Sequence, residues 1–459
     1  MSSQSVCAHE TAQKVFEDKT YAKVVWRTIP IILLAFICAY YDRVNISFAK
    51  LQMQGELGFS DAAYGLGAGL FFIGYFIFEI PSNVIMHRVG AKVWITRIMV
   101  TWGLASAAMM FAYNELTFYL LRFFVGAAEA GFAPGVLLYF TYWFPAERRA
   151  RINSMFILGI VLAGLTGGPV AGMLMTWGHG VWGLSGWQWL FLGEGVPTIV
   201  LGVVVFFMLD DNIKSAKWLS VEEKEMLQRN VDKDYVGMKE HASWFAAVKD
   251  PSSLYLAVLY FLTMSGLYGF TFWMPQLIKN TGVESPLHVG LLSAIPYVAA
   301  AVAMPLASRH SDRTGERKGH LAACLVVCAS GYIVSALFQG HTVIALMALT
   351  VACMSLFSAL PIFWTLPPKF LVGASAASGI AFINSVGNLS GFSSAYIVGK
   401  VRDLTGSTAG GLYTVAVICL VGAFVVYFLM PKNLRGMEKY AASKTGTDNT
   451  LDTAVQPAD

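Results

Sequence analysis

The sequence predicts an all-α membrane protein with twelve transmembrane helices in two six-helix bundles. Three observations lead to this fold class: a deficit of charge, a regular alternation of apolar stretches with short charged loops, and a repeat between the two halves. Of 459 residues, 56% are hydrophobic and 13% are charged, whereas soluble domains carry about a quarter charged residues. Because the charge is missing mainly from long apolar stretches, lipid is the expected solvent for much of the chain.

The apolar stretches have the length of membrane spans. A helix needs about 20 mostly apolar residues to cross the hydrocarbon core. Spans are predicted at 25–45, 63–85, 94–113, 115–139, 152–176, 186–208, 252–274, 286–306, 320–339, 341–363, 373–399 and 409–430. They divide the chain into an N-terminal segment (1–24), a first bundle (25–208), a linker (209–251), a second bundle (252–430) and a tail (431–459).

The linker contains the one long polar stretch between the predicted spans. Within it, Ser220 is followed three residues later by Glu223, which is the spacing of a capping box. We therefore expect a short surface helix to begin at this point of the linker.

The orientation of the chain follows from its basic residues, which favour the cytoplasmic side of a membrane. Arg43 and Arg122 fall well inside predicted spans, and nearly all the other Lys and Arg residues fall on one side. The exceptions, on the opposite side, are Lys50, Lys279, Lys400 and Arg402. Both termini are therefore predicted to be cytoplasmic.

The loops after spans two and eight repeat one pattern, an arginine, a glycine two residues later and then a basic residue. Such repeats place a substrate site at the membrane midplane, between two bundles that rock against each other. We expect these loops to act in gating, through Arg88 and Gly90 in the first half and Asp312, Arg313, Gly315 and Arg317 in the second.

Four charged residues lie inside predicted spans, where each costs a few kcal/mol and needs a partner or a task. Arg122 and Glu129 are two turns apart on one face of span four, about 10 Å along its axis. Asp42 and Arg43 are neighbours on span one and point about 100° apart. Together the four charges sum to zero, and we expect them to share a cavity.

The chemistry of these four residues suits an anion and a proton. An arginine stays charged and offers a planar fork that matches a carboxylate, so Arg43 is the first candidate for binding a substrate anion and Arg122 the second. A buried carboxylate that loses its arginine to a substrate tends to take up a proton. Asp42 and Glu129 are the candidates for that coupling. The alternative is that the four residues form a static ion-pair lock between helices.

Two further carboxylates lie in the spans. Glu79 stands beside Pro81, where the helix is expected to break, and it either lines the site or satisfies freed backbone groups. Glu194 lies early in span six, and we expect its role to be structural.

Other polar and aromatic residues are candidates for lining the same pocket. Aromatic side chains in membrane proteins also serve as interfacial anchors, and amides also hold helices together, so both alternatives stay open. The candidates are Tyr40, Tyr75, Trp364, Asn384 and Asn388.

Several motifs make the resemblance to a known family specific. Twelve spans in two sets of six, with the turn Asp312-Arg313-Thr314-Gly315-Glu316-Arg317 after span eight, resemble the major facilitator superfamily. Within it, the chain resembles the anion:cation symporter family over about residues 20–435. The motifs are Tyr41-Asp42-Arg43-Val44-Asn45, Glu79-Ile80-Pro81-Ser82-Asn83, Arg122 to Glu129 with Gly131 and Pro134-Gly135, and Gly186-Trp187-Gln188-Trp189-Leu190-Phe191.

The resemblance implies a transporter that imports organic anions such as sugar acids, tartrate or aromatic acids, usually with protons. It also implies that the arginines of spans one and four contact the anion and that carboxylates beside them couple it to protons. One departure from the family pattern is His87, which stands where the first-half turn usually has Asp.

The predicted function is thus proton symport of a small organic carboxylate by alternating access. We expect a monomer in a plasma membrane, the bacterial inner membrane, with no cofactor, metal or nucleic acid. An exchanger or uniporter of the same fold remains an alternative, as does a membrane anion sensor that moves nothing. An intramembrane enzyme is disfavoured because no nucleophile accompanies the charged residues within the spans.

Overall fold

The computed structural model describes residues 3–235, 249–370 and 374–430, which form helices and connecting turns without any strand. The predicted tail and much of the linker lie outside these residues. The first eight helices are α1 (Ser3–Leu57), α2 (Asp61–Val89), α3 (Ala91–Ala108), α4 (Glu115–Glu129), α5 (Phe132–Trp143), α6 (Ala146–Trp177), α7 (Gly186–Met208) and α8 (Val221–Tyr235).

The remaining helices follow the linker. They are α9 (Pro251–Lys279), α10 (Pro286–Thr314), α11 (Lys318–Leu337), α12 (Thr342–Trp364), α13 (Pro367–Phe370), α14 (Ala374–Thr405) and α15 (Thr408–Phe428).

Within the described residues, 11 helical segments are long and apolar enough to cross a membrane. The span predicted at 373–399 coincides with α14, which has 32 residues and is therefore about 48 Å long. It is not among the eleven; its sequence is rich in Ser, Gly and Asn. The helical architecture confirms the predicted all-α membrane fold.

The chain divides into two compact units. The first contains Met1–Lys239 and Glu284–Ala294, and the second contains Glu240–Val283 and Ile295–Asp459. The beginning of α10 is thus grouped with the first unit. The bundle boundaries that the sequence predicts, 25–208 and 252–430, stay a prediction.

In the first unit, α1 is one helix of 55 residues, about 80 Å long, that includes most of the predicted N-terminal segment. Its early turns are held by ion pairs at the start of α6 and on α8. Arg148 lies 2.7 Å from Asp18 and 3.3 Å from Glu17, and Lys23 lies 2.9 Å from Glu223.

The surface helix predicted in the linker is confirmed as α8. The Ser220 N–H donates to Glu223 Oε2 at 2.7 Å, and the Glu223 N–H donates to Ser220 Oγ at 3.2 Å. Partial burial raises the pKa of the Glu223 carboxyl, but the hydrogen bonds from Ser220 and Lys23 outweigh it, so that this pKa lies below its ordinary value of 4.5.

Helix breaks do not occur where proline alone predicts them. The break expected near Pro81 is absent, because α2 continues through this residue to Val89. The Asn83 side chain donates to the Glu79 carbonyl oxygen at 2.9 Å in the same stretch. Span four is broken instead, between α4 and α5, where Gly131 has φ of 88°.

The second unit contains the second of the two repeated turns, residues 312–317, between α10 and α11. Arg317 lies 2.5 Å from Asp312, and Gly315 adopts φ of 67°. Glu316 accepts hydrogen bonds from the backbone N–H groups of Gly319 and His320 at the start of α11. Burial raises the pKa of Glu316, but these hydrogen bonds outweigh it and lower the pKa overall. The predicted loop residues therefore form a compact, capped turn.

The first of the two repeated turns, residues 87–92 between α2 and α3, is hydrogen-bonded to an acidic residue from a distant part of the chain. Gly90 has φ of 100°, and the backbone N–H of Lys92 donates to Asp211 Oδ1 at 2.8 Å. A Cβ atom at position 90 would approach the same carboxylate to 2.7 Å. Asp211 thus brings a carboxylate to a turn whose own sequence has His87 in place of Asp.

Candidate functional site

The site in the first unit depends on a close approach between α2 and α4. A Cβ atom at Gly126 would overlap the carbonyl oxygen of Phe71, and one at Gly74 would overlap that of Phe123. Glycines at both points let the two backbones touch, as small residues do in membrane bundles. The approach places the rings of Phe71 and Tyr75 beside the charged face of α4.

Arg43 and Glu129 form an ion pair between α1 and α4. Arg43 Nη2 lies 2.5 Å from Glu129 Oε1, and the side chains are 19% and 1% exposed, respectively. The Arg43 guanidinium also lies 5.4 Å from the ring centre of Phe71 and 5.3 Å from that of Tyr75, within range of a cation–π interaction. Glu129 Oε2 has no hydrogen-bond partner among the described residues.

Arg122 is the second arginine at this site and is only 1% exposed. Its guanidinium lies 5.1 Å from the ring centre of Phe71, so both arginines approach the same ring. The described residues give Arg122 one hydrogen bond, from Nη2 to the Ala68 carbonyl oxygen at 3.5 Å, and leave its Nε without a partner. Since a guanidinium has five N–H donors, Arg122 has capacity to bind an anion.

Asp42 hydrogen-bonds to different helices from those that contact its neighbour Arg43. Trp102 Nε1 donates to its carboxylate at 2.6 Å, the Ser106 hydroxyl donates as well, and Asn45 Nδ2 donates at 3.3 Å. The Thr198 hydroxyl lies 3.3 Å from Asp42 Oδ2 and shares its one proton with the Glu194 carbonyl oxygen at 2.9 Å. The structure thus brings Arg43, Glu129 and Arg122 around one ring, whereas Asp42 is satisfied by α3 and α7.

The break in span four follows Glu129 immediately. Helix α4 ends at Glu129, and Gly131 then takes a left-handed conformation, with φ of 88°. A Cβ atom at Gly131 would overlap Ser82 Oγ, so glycine is required for both backbone and packing reasons. Discontinuous helices are a recurring feature of substrate sites in transporters.

A further buried cation lies on α1, two turns beyond Arg43. The side chain of Lys50 is 0% exposed and pairs with Asp61 at 2.6 Å, and its Nζ lies 4.5 Å from the ring centre of Tyr64. The sequence assigned Lys50 to an outer loop, but α1 continues to Leu57. The first unit therefore contains a buried Lys50–Asp61 ion pair that its predicted spans did not indicate.

The predicted pocket residues of the second half lie in the second unit, where Asn388 and Trp364 make local contacts. Tyr268 donates its hydroxyl to Asn388 Oδ1 at 3.1 Å, Trp364 packs edge-on against Tyr260 with ring centres 5.1 Å apart, and Asn384 is half-buried. In the first unit Tyr75 is buried beside Arg43, and Tyr40 is half-buried on α1.

Four residues of the site were not singled out from the sequence. Phe71 carries no charge and resembles any other apolar residue of a span. For Trp102 and Ser106 the sequence contains a weak indication, because the two polar side chains are four residues apart and share one face of α3. The four are Phe71, Trp102, Ser106 and Thr198.

Within the described part of the chain, no group of three or more His, Cys, Asp or Glu residues could hold a metal ion. The charged residues at hand are instead two guanidiniums and three or more carboxylates in an apolar setting. Such a set can bind anions and exchange protons.

The chain is similar to known transport proteins. The sequence profile of the Major Facilitator Superfamily matches residues 32–395. A protein of Agrobacterium vitis named "Putative tartrate transporter" is 43% identical over 431 residues, which cover 93% of this chain and 95% of the relative. A protein of Acinetobacter baumannii named "Quinolone resistance transporter" is 42% identical over 419 residues, with coverages of 91% and 96%.

Solved structures agree on the fold. The xylose transporter XylE from E. coli, in a partially occluded inward open conformation, superposes with a TM-score of 0.70. The two sequences are 12% identical, and the superposition covers 89% of this chain and 98% of the other.

Proposed function

The chain belongs to the Major Facilitator Superfamily, whose members are membrane transporters rather than enzymes, and from that premise we propose that it imports a small organic carboxylate by proton symport. The observation that carries this proposal is the pairing state of Arg43 and Arg122. Arg43 has a carboxylate partner, Glu129, whereas the described residues give Arg122 one hydrogen bond at 3.5 Å and no carboxylate.

The charge balance of this site supports an anionic cargo. Around Phe71, two guanidiniums and one ionised Glu129 leave one positive charge, whereas the fourth charge of the set, Asp42, is held by donors of α3 rather than by an arginine. A monovalent carboxylate would neutralise that charge, and its planar geometry matches the guanidinium fork of Arg122 or Arg43. The ring of Phe71 would hold both guanidiniums at the cargo.

Coupling to protons follows from competition for Arg43. A substrate carboxylate that binds Arg43 displaces Glu129, and a buried carboxylate without its arginine tends to take up a proton. Anion and proton would then cross together, and the proton would leave when Glu129 pairs with Arg43 again. Asp42 is the second coupling carboxylate in this proposal, on the α3 and α7 side of α1.

The cargo that we propose is a sugar acid, tartrate or an aromatic acid. The tartrate named for the Agrobacterium vitis relative supports this class, because that relative is similar over nearly the whole chain. Tyr40 and Tyr75 would line the site in the first bundle, and Trp364, Asn384 and Asn388 would line it in the second.

The same proposal includes the setting of the transporter. The protein would act as a monomer in a plasma membrane, the inner membrane of a bacterium, with both termini in the cytoplasm. Its bundles, 25–208 and 252–430, would give alternating access. The two repeated turns, 87–92 and 312–317, would control the opening of the site to the cytoplasm. The basic residues that the positive-inside rule places on one side support this orientation.

Uptake of labelled acids into proteoliposomes tests the proposal. Purified protein is reconstituted and offered tartrate, a sugar acid, an aromatic acid and, as a neutral control, xylose, with and without an inward proton gradient. We expect at least one acid to accumulate only with the gradient, and xylose not to accumulate. Uptake of an acid that ignores the gradient would refute symport, and uptake of none of the acids would refute the anion assignment.

An organic anion exchanger or uniporter is the second candidate. The closed Arg43–Glu129 pair favours it in one respect, because a permanently ionised Glu129 could serve as a fixed counter-ion for Arg43 without carrying any proton. Replacement of Glu129 by glutamine separates the two candidates, as described below.

A further inference from the structure

We propose that Glu194 and Asp42 form a buried acidic pair that carries one proton, in addition to that of Glu129, on the side of α1 that faces α3 and α7. The proposal rests on proton symport as proposed above and adds a residue to it. The sequence placed Glu194 in a structural role near the end of a span, and nothing in its immediate sequence, Gly193-Glu194-Gly195, indicates a partner.

Thr198 connects Glu194 to Asp42. Its hydroxyl lies 3.3 Å from Asp42 Oδ2 and 2.9 Å from the main-chain carbonyl oxygen of Glu194. Glu194 stands one turn before Thr198 on α7, so both side chains project from the same face. Glu194 is 6% exposed, and Asp42 acts on it electrostatically.

The two carboxylates differ in their hydrogen-bond donors. Asp42 accepts from Trp102, Ser106 and Asn45, with the Thr198 hydroxyl nearby. Glu194 has Asn45 as its side-chain neighbour, but Glu194 Oε2 has no donor among the described residues, and neither has Asn45 Oδ1. Two buried acceptors without a donor are costly, and a proton on Glu194 provides the missing donor. The donors thus favour the ionised form of Asp42 and leave the proton to Glu194.

The charge of the pair points to the same assignment. Among the described residues, no Lys, Arg or His forms an ion pair with Asp42 or Glu194. With both ionised, the pair would place two negative charges in an apolar interior, and one proton removes half of that charge. A metal ion suits the cluster less well, because the oxygen lone pairs of Asp42 already accept hydrogen bonds from three side chains.

The other ionisable groups around the pair do not change this balance. Cys38 and Tyr41 of α1 face Glu194 and are uncharged as thiol and phenol. Glu129 and Arg122 of α4 act on Asp42 at longer range. The neighbouring side chains of α3 and α6, Trp102, Ser106 and Thr166, carry no charge.

The number of protons moved per substrate tests the proposal. In proteoliposomes, the pH gradient at which net substrate flux reverses against a fixed substrate gradient, at zero membrane potential, gives that number for the wild type and for Glu194→Gln. We expect Glu194→Gln, which imitates the protonated residue, to move one proton fewer per substrate. A reversal at the same pH gradient as in the wild type would overturn the role of Glu194.

A matched control separates this effect from a general loss of a carboxylate. Glu56, at the outer end of α1, accepts hydrogen bonds from Ser185 Oγ at 2.6 Å and Trp187 Nε1 at 2.7 Å, so Glu56→Gln should keep the wild-type number of protons. If the wild type itself shows no proton-driven uptake, symport fails. If the wild type is proton-driven and Glu194→Gln is unaltered, only the role of Glu194 fails.

A second measurement applies if Glu194→Gln does not fold. Infrared spectra of the wild-type protein should contain the carbonyl stretch of a protonated buried carboxyl group, and Glu194→Asp should shift that band while keeping an ionisable group. A wild-type spectrum without the band, or a band that Glu194→Asp leaves in place, would overturn the proposal.

Discussion

The two sides of α1 present opposite electrostatic environments, although Asp42 and Arg43 are adjacent in the chain. On the α2 and α4 side, Arg43 pairs with Glu129, and both guanidiniums lie close to Phe71. On the α3 and α7 side, Asp42 accepts hydrogen bonds from neutral donors.

The comparison shows how one helix can separate two chemical tasks. Successive residues project about 100° apart around a helix, so one backbone can present a cation to one neighbour and a carboxylate to another. The α2 and α4 side, with unused guanidinium donors beside Glu129, suits an anion and the proton coupled to it, whereas the α3 and α7 side has carboxylates without a cation and suits a proton alone. The four predictions below test this division, from the largest expected effect to the smallest.

Replacement of Arg43 should have the largest effect. Arg43→Ala leaves Glu129 buried without its partner, which costs about 3–5 kcal/mol, and it removes the proposed anion contact. We expect the initial rate of acid uptake in proteoliposomes to fall by about 100-fold or more. Arg27→Ala is the control, because Arg27 is exposed and only approaches the Trp218 ring, at 5.1 Å. Equal losses in the two variants would contradict the assignment.

Replacement of Glu129 should separate accumulation from exchange. Glu129→Gln cannot release a proton, so we expect gradient-driven accumulation of the acid to disappear while exchange of labelled for unlabelled acid persists in part. The measurement compares both assays in the same proteoliposomes. Glu115→Gln, in the exposed first turn of the same helix, is the control and should accumulate acid normally. Accumulation that survives Glu129→Gln would remove Glu129 from coupling and favour the exchanger or uniporter.

Loss of one donor to Asp42 should have a moderate effect. Ser106→Ala removes a buried hydroxyl that donates to the carboxylate, and a hydrogen bond to a charged group contributes about 1.5–3 kcal/mol. We expect a lower free energy of unfolding by that amount, measured by thermal unfolding of the purified protein in detergent. Ser47→Ala is the matched control, because the Ser47 hydroxyl bonds only to the Val44 carbonyl of its own helix. If both variants lose equal stability, the hydrogen bond from Ser106 to Asp42 contributes no more than an ordinary hydroxyl within a helix.

The exposed ion pair of α8 gives the smallest effect and a contrast with the buried pair of α1 and α4. Lys23 is 44% exposed, and exposed pairs contribute about 0.2–1 kcal/mol. The pKa of Glu223 is lowered in the folded protein, so its contribution is present above the unfolded value and is lost as pH falls through the folded value. We expect Glu223→Gln to reduce thermal stability slightly at neutral pH and not at all in strong acid. A larger loss in acid than at neutral pH would contradict this sign.

Much of the fold was predictable because each span can be recognised locally. Lipid thickness and the cost of buried charge act on every segment separately, and the capping box at Ser220 is a three-residue relation. The break in span four was not predicted, because it depends on Gly131 being pressed against Ser82 of α2. Pro81, the more obvious breaker, sits in a continuous helix.

The candidate site was predictable only in part. Arg43, Arg122, Glu129 and Asp42 are conspicuous because ionisable residues are rare in spans. Their partners were not evident: Glu129 pairs with Arg43, 86 residues away, rather than with Arg122 on its own helix. Phe71 and Thr198 join the site through contacts between helices that no local pattern records.

By itself the sequence determined the solvent of this protein, the positions of most helices and the presence of four rare charges, since each depends on the local cost of placing polar groups in lipid. Only the tertiary structure decided which charge faces which, because pairing depends on how helices are rotated and how closely their backbones approach. The glycines that bring α2 against α4 place Phe71 beside Arg43 and Arg122, and the packing of α1 against α3 and α7 gives Asp42 its donors.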